Sequence, residues 1–315
     1  MMRRATQICV ATLLAACLGS RVSADTFVPG GNFVGANVWT PAGSPYIVAG
    51  DLTLPANTSL QIQPGVSVRV VSGDALASGL DPSRVELRVA GSGTLQVLGT
   101  PGAPVTFRAH VGTAANTWYG IVAEPGAVVT LQSAVVEHAN QALRASVLAT
   151  ITDSTFANNN VDIALVAGAP SPTLFGTLTA GSFVGSVIVP FGATLSLNRV
   201  ASSIQAGSLT LSGTLRPSLT SILNYEKLSV AGSVTLGASA LELDAFGGSI
   251  DDVFVLIDND GAEPVSGTFI GLPEGEQFVF GTYRLRVSYT GGTGNDVTLR
   301  VSAEQVPVFP ALRAE

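Results

Sequence analysis

The sequence is poor in cysteine, in charge and in long apolar runs. Of its 315 residues only Cys9 and Cys17 are cysteine, and both lie close to the N-terminus. We therefore expect no disulfide in the body of the chain, which packing and backbone hydrogen bonds must hold together. Lysine is almost absent and the formal net charge is -7. The chain thus lacks the basic stripe that nucleic-acid binding requires.

The first 24 residues have the pattern of a signal peptide. The apolar run ICVATLLAACLG follows two arginines and is too short to span a bilayer. Two processing sites compete: the small-x-small sequence VSA before Asp25, and LAAC, which resembles a bacterial lipobox and makes Cys17 a candidate for lipidation. The pattern predicts an exported protein, secreted, periplasmic or at the cell surface, with a lipid anchor if Cys17 is the processing site. No other run is apolar and long enough to cross a membrane.

Short alternating apolar runs, separated by Gly, Pro or Asn, fill the rest of the chain. DLTLPANTSLQI and SVIVPFGATLSL share the same offsets, and alternation with period two predicts strands with one face in a core. The expected inward residues of these two units are Leu52, Leu54, Leu60, Ile62, Val187, Val189, Leu195 and Leu197. A recurring strand–corner–strand unit indicates either a sandwich or a stacked solenoid, and the scarcity of hairpin signals favours the solenoid.

Three segments carry a resemblance to a known family. SPYIVAGDLTLPANTSLQIQPGVSVRV, LRVAGSGTLQVLGTPGAPVTFRA and TWYGIVAEPGAVVTLQSAVVEHANQAL are similar, in order and spacing, to bacterial right-handed parallel β-helix proteins of the pectin-lyase-like type. The match covers roughly residues 44 to 165. KLSVAGSVTLGASALELDA and YRLRVSYTGGTGNDVTL resemble the closing strands of autotransporter passenger domains, although the 14 residues after Val301 are too few for a membrane barrel.

These observations predict an all-β, right-handed parallel β-helix (a solenoid) with a C-terminal β cap. We divide the chain into a signal peptide (1–24), a lead-in (25–37), the β-helix (38–240), closing strands (241–301) and a tail (302–315). At about 22–25 residues per coil, we expect on the order of 11 coils and a stacked length of ~50 Å.

Two segments resemble calcium loops, but both are better explained as turns. GGTGND is a single copy of a repeat that needs consecutive copies to share each ion. It is predicted to join the last two strands, with Asp296 a minor turn residue. DNDGAE lacks the ligands that an EF-hand requires at its fifth and twelfth positions.

Two charged groups could belong to a sugar-binding or catalytic surface. Glu242 and Asp244 point out from one strand face, and such an acidic pair could hold a calcium ion in a uronate lyase. A solvated strand face is the simpler interpretation. SRVELRV alternates Arg84, Glu86 and Arg88 outward, which fits either an anionic-sugar contact or an exposed, mutually paired face.

Aromatic and amide side chains form the remaining candidates. Trp118 and Tyr119 are candidate carbohydrate contacts, with packing at the entry of a coil as the alternative. The run Asn158–Asn160 fits either a sugar site or a coil corner in which Asn takes the left-handed conformation and bonds the next coil. His110 and His138 lie in separate coils without the spacing of a zinc site.

Sequence alone therefore predicts an exported, non-enzymatic β-helix protein, a structural or adhesin-like module. We predict no catalytic residue, no cofactor and no bound metal, and we expect a polysaccharide or cell-surface glycan as partner. The alternative is a calcium-assisted polysaccharide lyase on the same fold, because one fold hosts both roles.

Overall fold

The computed structural model describes residues 25–304 and shows an all-β chain wound into a three-sided parallel β-helix. One short 3₁₀ helix, Pro41–Gly43, occurs in the described range. Each coil contributes a strand to each of three faces, which we number 1 to 3 in the order in which the chain first enters them. The predicted fold class, a parallel β-helix solenoid closed by a C-terminal β cap, is confirmed.

Faces 1 and 3 join into one 17-stranded sheet because four strands bend from one face into the other. Face 1 alone holds β1 (Thr26–Val28), β4 (Tyr46–Val48), β7 (Ser67–Val70), β10 (Val105–Ala109), β13 (Ala134–Glu137), β20 (Thr194–Ser196) and β23 (Thr214–Arg216). Face 3 alone holds β3 (Ala36–Trp39), β6 (Ser59–Ile62), β9 (Thr94–Leu98), β12 (Val128–Gln132), β19 (Val187–Val189) and β22 (Leu209–Leu211). The strands shared by both are β15 (Ala149–Ala157), β17 (Thr173–Thr179), β26 (Val234–Leu241) and β29 (Ser266–Phe269).

Face 2 is the parallel part of a 13-stranded sheet. It holds β2 (Gly31–Asn32), β5 (Leu52–Leu54), β8 (Glu86–Val89), β11 (Gly120–Ala123), β14 (Gln141–Ala145), β16 (Val161–Leu165), β18 (Ser182–Val184), β21 (Ala201–Gln205), β25 (Lys227–Val230) and β28 (Val253–Asn259). A separate two-stranded sheet at one corner pairs β24 (Ser218–Leu219) with β27 (Ala245–Phe246). The ten strands of face 2 correspond to ten coils, close to the predicted 11.

Like residues stack from coil to coil because successive strands pair in parallel register. Ile121 pairs with Leu143, and Leu143 pairs with Ile163, so these coils are about 20 residues long. The predicted bounds of the β-helix were residues 38 and 240, but stacked strands extend beyond both. Thr26 already pairs with Tyr46, and Ser239 still pairs with Phe269.

A single hydrophobic core fills the inside of the coils, as the alternating pattern predicts. The eight inward residues expected from the two matched units are all buried: Leu52, Leu54, Leu60, Ile62, Val187, Val189, Leu195 and Leu197. In the first coil Trp39 stacks on Tyr46 with ring centroids 4.4 Å apart.

The C-terminal cap is an antiparallel extension of face 2. Strands β30 (Gln277–Phe280), β31 (Tyr283–Gly291) and β32 (Asp296–Glu304) follow one another, and β32 pairs antiparallel with β28 of the last coil. In these closing strands Leu285, Val287, Val297 and Leu299 are all buried against the core. The GGTGND stretch therefore lies between the closing strands, as predicted.

Candidate functional site

Two carboxylates, Asp51 and Glu86, stand side by side on the outer side of face 2. Leu52 pairs with Leu87, so the residues immediately before them are also neighbours on adjacent coils. Although both side chains point away from the core, their exposed fractions are only 3% and 0%. We call these two residues the buried carboxylate pair. Another part of the chain must cover them.

The loop between β7 and β8 (71–85) covers the buried carboxylate pair. Asp74 holds this loop in place, since its carboxylate accepts hydrogen bonds from the backbone N–H of Asp51 at 3.0 Å and of Ser78 at 2.7 Å. Ser78 Oγ donates to Asp51 Oδ2 at 2.7 Å, and the N–H of Leu80 donates to both oxygens of Glu86, at 3.1 and 3.0 Å. Asp51 also accepts the N–H of Glu86 at 2.8 Å.

Gly79 is the point at which this loop crosses the two carboxylates. Its φ is +70°, and a Cβ at this position would overlap the carboxylates of both Glu86 and Asp51. Only glycine combines this backbone conformation with such a close approach. The loop is therefore shaped to sit directly on the pair.

Burial raises the pKa of both carboxyl groups. For Asp51 the hydrogen bonds from Glu86 and Ser78 oppose this shift, while the charge of Asp74 adds to it. For Glu86 the hydrogen bond from Leu80 opposes the shift, and Asp51 is the nearest like charge that adds to it. Two like charges in one desolvated place hold protons to a higher pH than isolated carboxyls do. Through their hydrogen bonds the two carboxyl groups join the loop to two neighbouring coils.

The burial of Glu86 corrects the prediction that it lies on an exposed face with Arg84 and Arg88. The alternation itself is right, because Val85 and Leu87 are buried in the core. What the pattern could not show is the overlying loop. The one available signal was the length and polarity of segment 71–85, a connection longer than most corners of the coil.

Charged groups surround the covered pair. Arg88 forms an ion pair with Glu124 of the next coil at 2.6 Å. Burial raises the pKa of the Tyr119 phenol, and its charged neighbours are Arg144, Glu86 and Asp81. Tyr119 thus belongs to the rim of this cluster.

The structure does not support a carbohydrate platform at Trp118 and Tyr119. Trp118 is 1% exposed, and its indole N–H donates to the backbone carbonyl of Glu137 at 2.8 Å. Tyr119 is 8% exposed. Their ring faces are packed against protein and are not open to a sugar ring, so the packing alternative is the one that the geometry supports.

The acidic pair Glu242 and Asp244 is exposed, and the structure adds a partner that sequence reasoning missed. Arg216 of the preceding coil binds Glu242 through Nε at 3.2 Å and through Nη2 at 2.8 Å. Its position follows from the pairing of Leu215 with Leu241, a register that cannot be read from spacing because coil lengths vary.

The two calcium-like turns lie against each other at the end of the solenoid. Asn295 donates to the carbonyls of Gly261 and Glu263 at 2.7 and 3.1 Å, and the turns line a groove of about 440 Å³. Asp258 is bound by Lys227 at 2.7 Å. Within residues 25–304, no group of three or more His, Cys, Asp or Glu side chains is arranged to hold a metal ion.

Asp296 was predicted to be a minor turn residue, and this is wrong. The side chain is 2% exposed, and its carboxylate accepts hydrogen bonds from the N–H of Asn259 at 3.0 Å and the N–H of Thr293 at 2.9 Å. It therefore ties the last turn to β28. A turn pattern in the sequence does not show that its acid points inward.

Asn158–Asn160 form a coil corner, which was the alternative to a sugar site. Asn158 has φ +55°, and buried Asn159 donates to Val136 O at 2.9 Å and accepts the N–H of Ala139 at 2.9 Å. Asn160 donates to Asn140 Oδ1 at 3.1 Å. The run links adjacent coils.

The histidines remain separate. His138 is 5% exposed and accepts the N–H of Ala109 through Nδ1 at 3.4 Å, whereas His110 is exposed on the outside of the coil. Cys17 and the predicted signal peptide lie outside the described residues. No helix within residues 25–304 is apolar and long enough to cross a bilayer.

Comparison with models of known protein families and with curated proteins finds no match to this chain.

Proposed function

We propose that this chain is an exported, non-enzymatic β-helix module, structural or adhesin-like, whose partner is a polysaccharide or a cell-surface glycan. The observation that carries the proposal is the use made of its buried polar side chains. Asp51, Asn159 and Asp162 each bind backbone groups of a neighbouring coil, so the chemistry they offer serves to hold a long surface rigid.

Asp162 gives a third example of this use, in addition to Asp51 and Asn159. It is completely buried and accepts the N–H groups of Gly181 and Ser182 in the next coil at 2.9 and 3.0 Å. Arg199 reaches back from the coil beyond to bind the same carboxylate at 2.9 Å. Burial raises the pKa of Asp162, and these hydrogen bonds and Arg199 oppose the shift.

The outer side of face 3 offers a surface suited to an extended partner. Five uncharged polar residues stand in register on five successive coils, about 4.8 Å apart: Gln61, Gln96, Thr130, Thr150 and Thr173. Amide and hydroxyl side chains both donate and accept hydrogen bonds, as the hydroxyl groups of a polysaccharide do.

A polysaccharide panel tests this proposal. We expect retention of the chain on one or more immobilised polysaccharides without release of a 4,5-unsaturated product, which is measured by its absorbance. Turnover would contradict the non-enzymatic role. Mass spectrometry of the mature N-terminus from the native host tests export separately, since cleavage before Asp25 or lipidation of Cys17 gives different masses.

One observation favours the lyase alternative, namely that Arg216 lies beside the acidic pair Glu242 and Asp244. A uronate lyase needs a cation near the acid site and a basic side chain to take the proton. Calcium-dependent turnover that Glu242→Gln abolishes would establish it. An ion that binds only the folded state must raise the melting temperature. If the chain is non-enzymatic and holds no calcium site, added calcium should therefore leave the melting temperature unchanged.

A further inference from the structure

The first coil of the solenoid presents an open edge. Its three strands, β1, β2 and β3, pair with β4, β5 and β6 of the second coil, and nothing within residues 25–304 pairs with them on the other side. The N–H groups on either side of Asn32 donate to the second coil, so those of Asn32 itself point away from it. The same alternation turns the backbone groups of Phe27, Ala36 and Val38 outward along the solenoid axis. Free donors and acceptors therefore line this end on all three faces.

No charge guards this edge. The sequence has no charged residue between Asp25 and Asp51, although the whole chain carries a net charge of -7. Open edges of natural sheets are commonly blunted by charged side chains, proline or bulges, and β1, β2 and β3 contain none of these. Apolar side chains beside the edge are exposed instead: Phe27 by 66%, Val34 by 86% and Val38 by 50%. Two copies of this acidic chain meet the least like-charge repulsion here.

Aromatic rings already cover the core beneath this edge. Trp39 stacks on Tyr46 with ring centroids 4.4 Å apart, and the ring of Phe33 lies 6.2 Å from that of Trp39. The amide of Asn37 donates to the backbone carbonyl of Val34 at 3.2 Å and so ties the corner between β2 and β3. What remains unsatisfied at this end is the strand edge and not the core.

A second copy, turned by a two-fold axis perpendicular to the solenoid axis, is complementary to the edge. The rotation reverses the direction of every strand, so two first coils meet with their strands antiparallel on all three faces. With the axis through face 3, Ala36 of one copy lies opposite Val38 of the other, and each such pair exchanges both of its backbone hydrogen bonds. On the other two faces, β1 of one copy meets β2 of the other.

The C-terminal end offers no equally complete edge. On face 2 the last coil strand, β28, is covered by the antiparallel strand β32, and the sheet ends at β30. Glu274 and Glu276 precede β30, and Arg286 pairs with its first residue, so charge surrounds this edge. A head-to-tail contact would therefore leave the strand of face 2 without a parallel partner.

We propose that the open edge of the first coil is an interface for a second copy of this chain, which joins two solenoids end to end through antiparallel pairing of β1, β2 and β3. The product is a closed dimer, because the two-fold axis uses the same edge of both copies and leaves none free. It is a rod of about twice the length of one chain. The inference is independent of the proposed glycan-binding role.

Light scattering during size-exclusion chromatography, on protein purified from the native host, tests the interface. We expect twice the mass of one chain at high concentration and the mass of one chain after dilution. Val38→Lys places a charge beside the edge without removing a buried side chain, and should raise the dissociation constant of the dimer by at least roughly tenfold. Val279→Lys, on the cap strand β30 with the same exposed fraction of 50%, is the matched control and should leave this constant unchanged.

Two further measurements separate loss of pairing from loss of folding. The melting temperature of the native chain should rise with protein concentration, because the second copy binds only the folded state. That of Val38→Lys should not rise, and the two proteins should melt together at the lowest concentration. In hydrogen exchange, the amides of Phe27 and Val38 should be protected in the dimer and should exchange after dilution.

Three results would overturn the proposal. The mass of one chain at every concentration, or a dimer that Val38→Lys leaves intact, would show that the first coil is not the interface. Species that grow beyond the dimer would exclude the two-fold arrangement, since only a head-to-tail contact continues. Protection of Phe27 and Val38 that persists in a diluted monomer would show that another part of the same chain, and not a second copy, occupies the edge.

Discussion

At the scale of single residues, buried carboxylates carry the most information about how this solenoid is held. Asp51 and Glu86 are covered by one loop, and burial raises the pKa of each above its ordinary value, 3.8 for Asp51 and 4.5 for Glu86. The folded chain therefore keeps protons that the unfolded chain has released. The stabilisation that the pair provides is complete below about pH 4 and is lost as the pH rises through the folded-state pKa values.

Glu86→Gln should flatten this pH dependence. Glutamine can still accept the N–H of Leu80 through its carbonyl oxygen, but it carries no charge to desolvate. We expect the melting temperature of the native chain to fall more between pH 4 and pH 8 than that of Glu86→Gln. Glu276→Gln, at an exposed carboxylate, is the control and should melt in parallel with the native chain. Parallel curves for all three proteins would show that the buried pair does not titrate with folding.

Asp296→Ala should destabilise the cap. The substitution leaves the N–H groups of Asn259 and Thr293 without their acceptor in a buried place, which costs about 1–3 kcal/mol for each donor left unsatisfied. Asp260→Ala removes an exposed carboxylate from the neighbouring turn and should change the free energy of unfolding by less than about 0.5 kcal/mol. Chemical denaturation of both variants measures the difference, and equal small effects would mean that Asp296 is an ordinary turn residue after all.

At the scale of elements, β11 and β14 approach each other closely at Gly120. Gly120 has φ +138°, and a Cβ on it would overlap the backbone carbonyl oxygen of Gln141. The backbone cannot move aside as a flexible side chain could. This position fixes how tightly the fourth and fifth coils stack.

Gly120→Ala should therefore cost about 2 kcal/mol or more in the free energy of unfolding. Gly102→Ala is the matched control, because a Cβ at that position meets open space and its backbone is not in the left-handed region. We expect the control to melt within a few degrees of the native chain. Thermal melts of the two variants that coincide would mean that the coils can separate at Gly120 without penalty.

The elements show what a sequence can and cannot predict for this fold. Period-two alternation identified inward residues such as Leu60 and Val189, because a pattern along one strand decides which side faces the core. The closing strands around GGTGND were expected from the resemblance to autotransporter passenger domains. The buried carboxylate pair depends on contacts between coils. Coil length varies from about 20 to 35 residues, so the register of Asp51 with Glu86 cannot be counted from spacing.

At the scale of the whole molecule, ten stacked coils with about 4.8 Å between them give a rod on the order of 50 Å long before the cap is added. Small-angle scattering should give a pair-distance distribution that is skewed toward long distances, as elongated particles do. Far-UV circular dichroism should show strand without helix. A symmetric distribution, as from a sphere, would contradict the solenoid in solution.

The antiparallel cap also determines how the molecule would respond to being pulled. Tension on the chain after Glu304 reaches β32 first, and only when that strand separates from β28 does the load pass to a coil. Each coil of about 20 residues then releases about 70 Å of extended chain while its neighbours stay folded. Tethered at one end, such a molecule would lengthen in regular steps and absorb mechanical work at each of them.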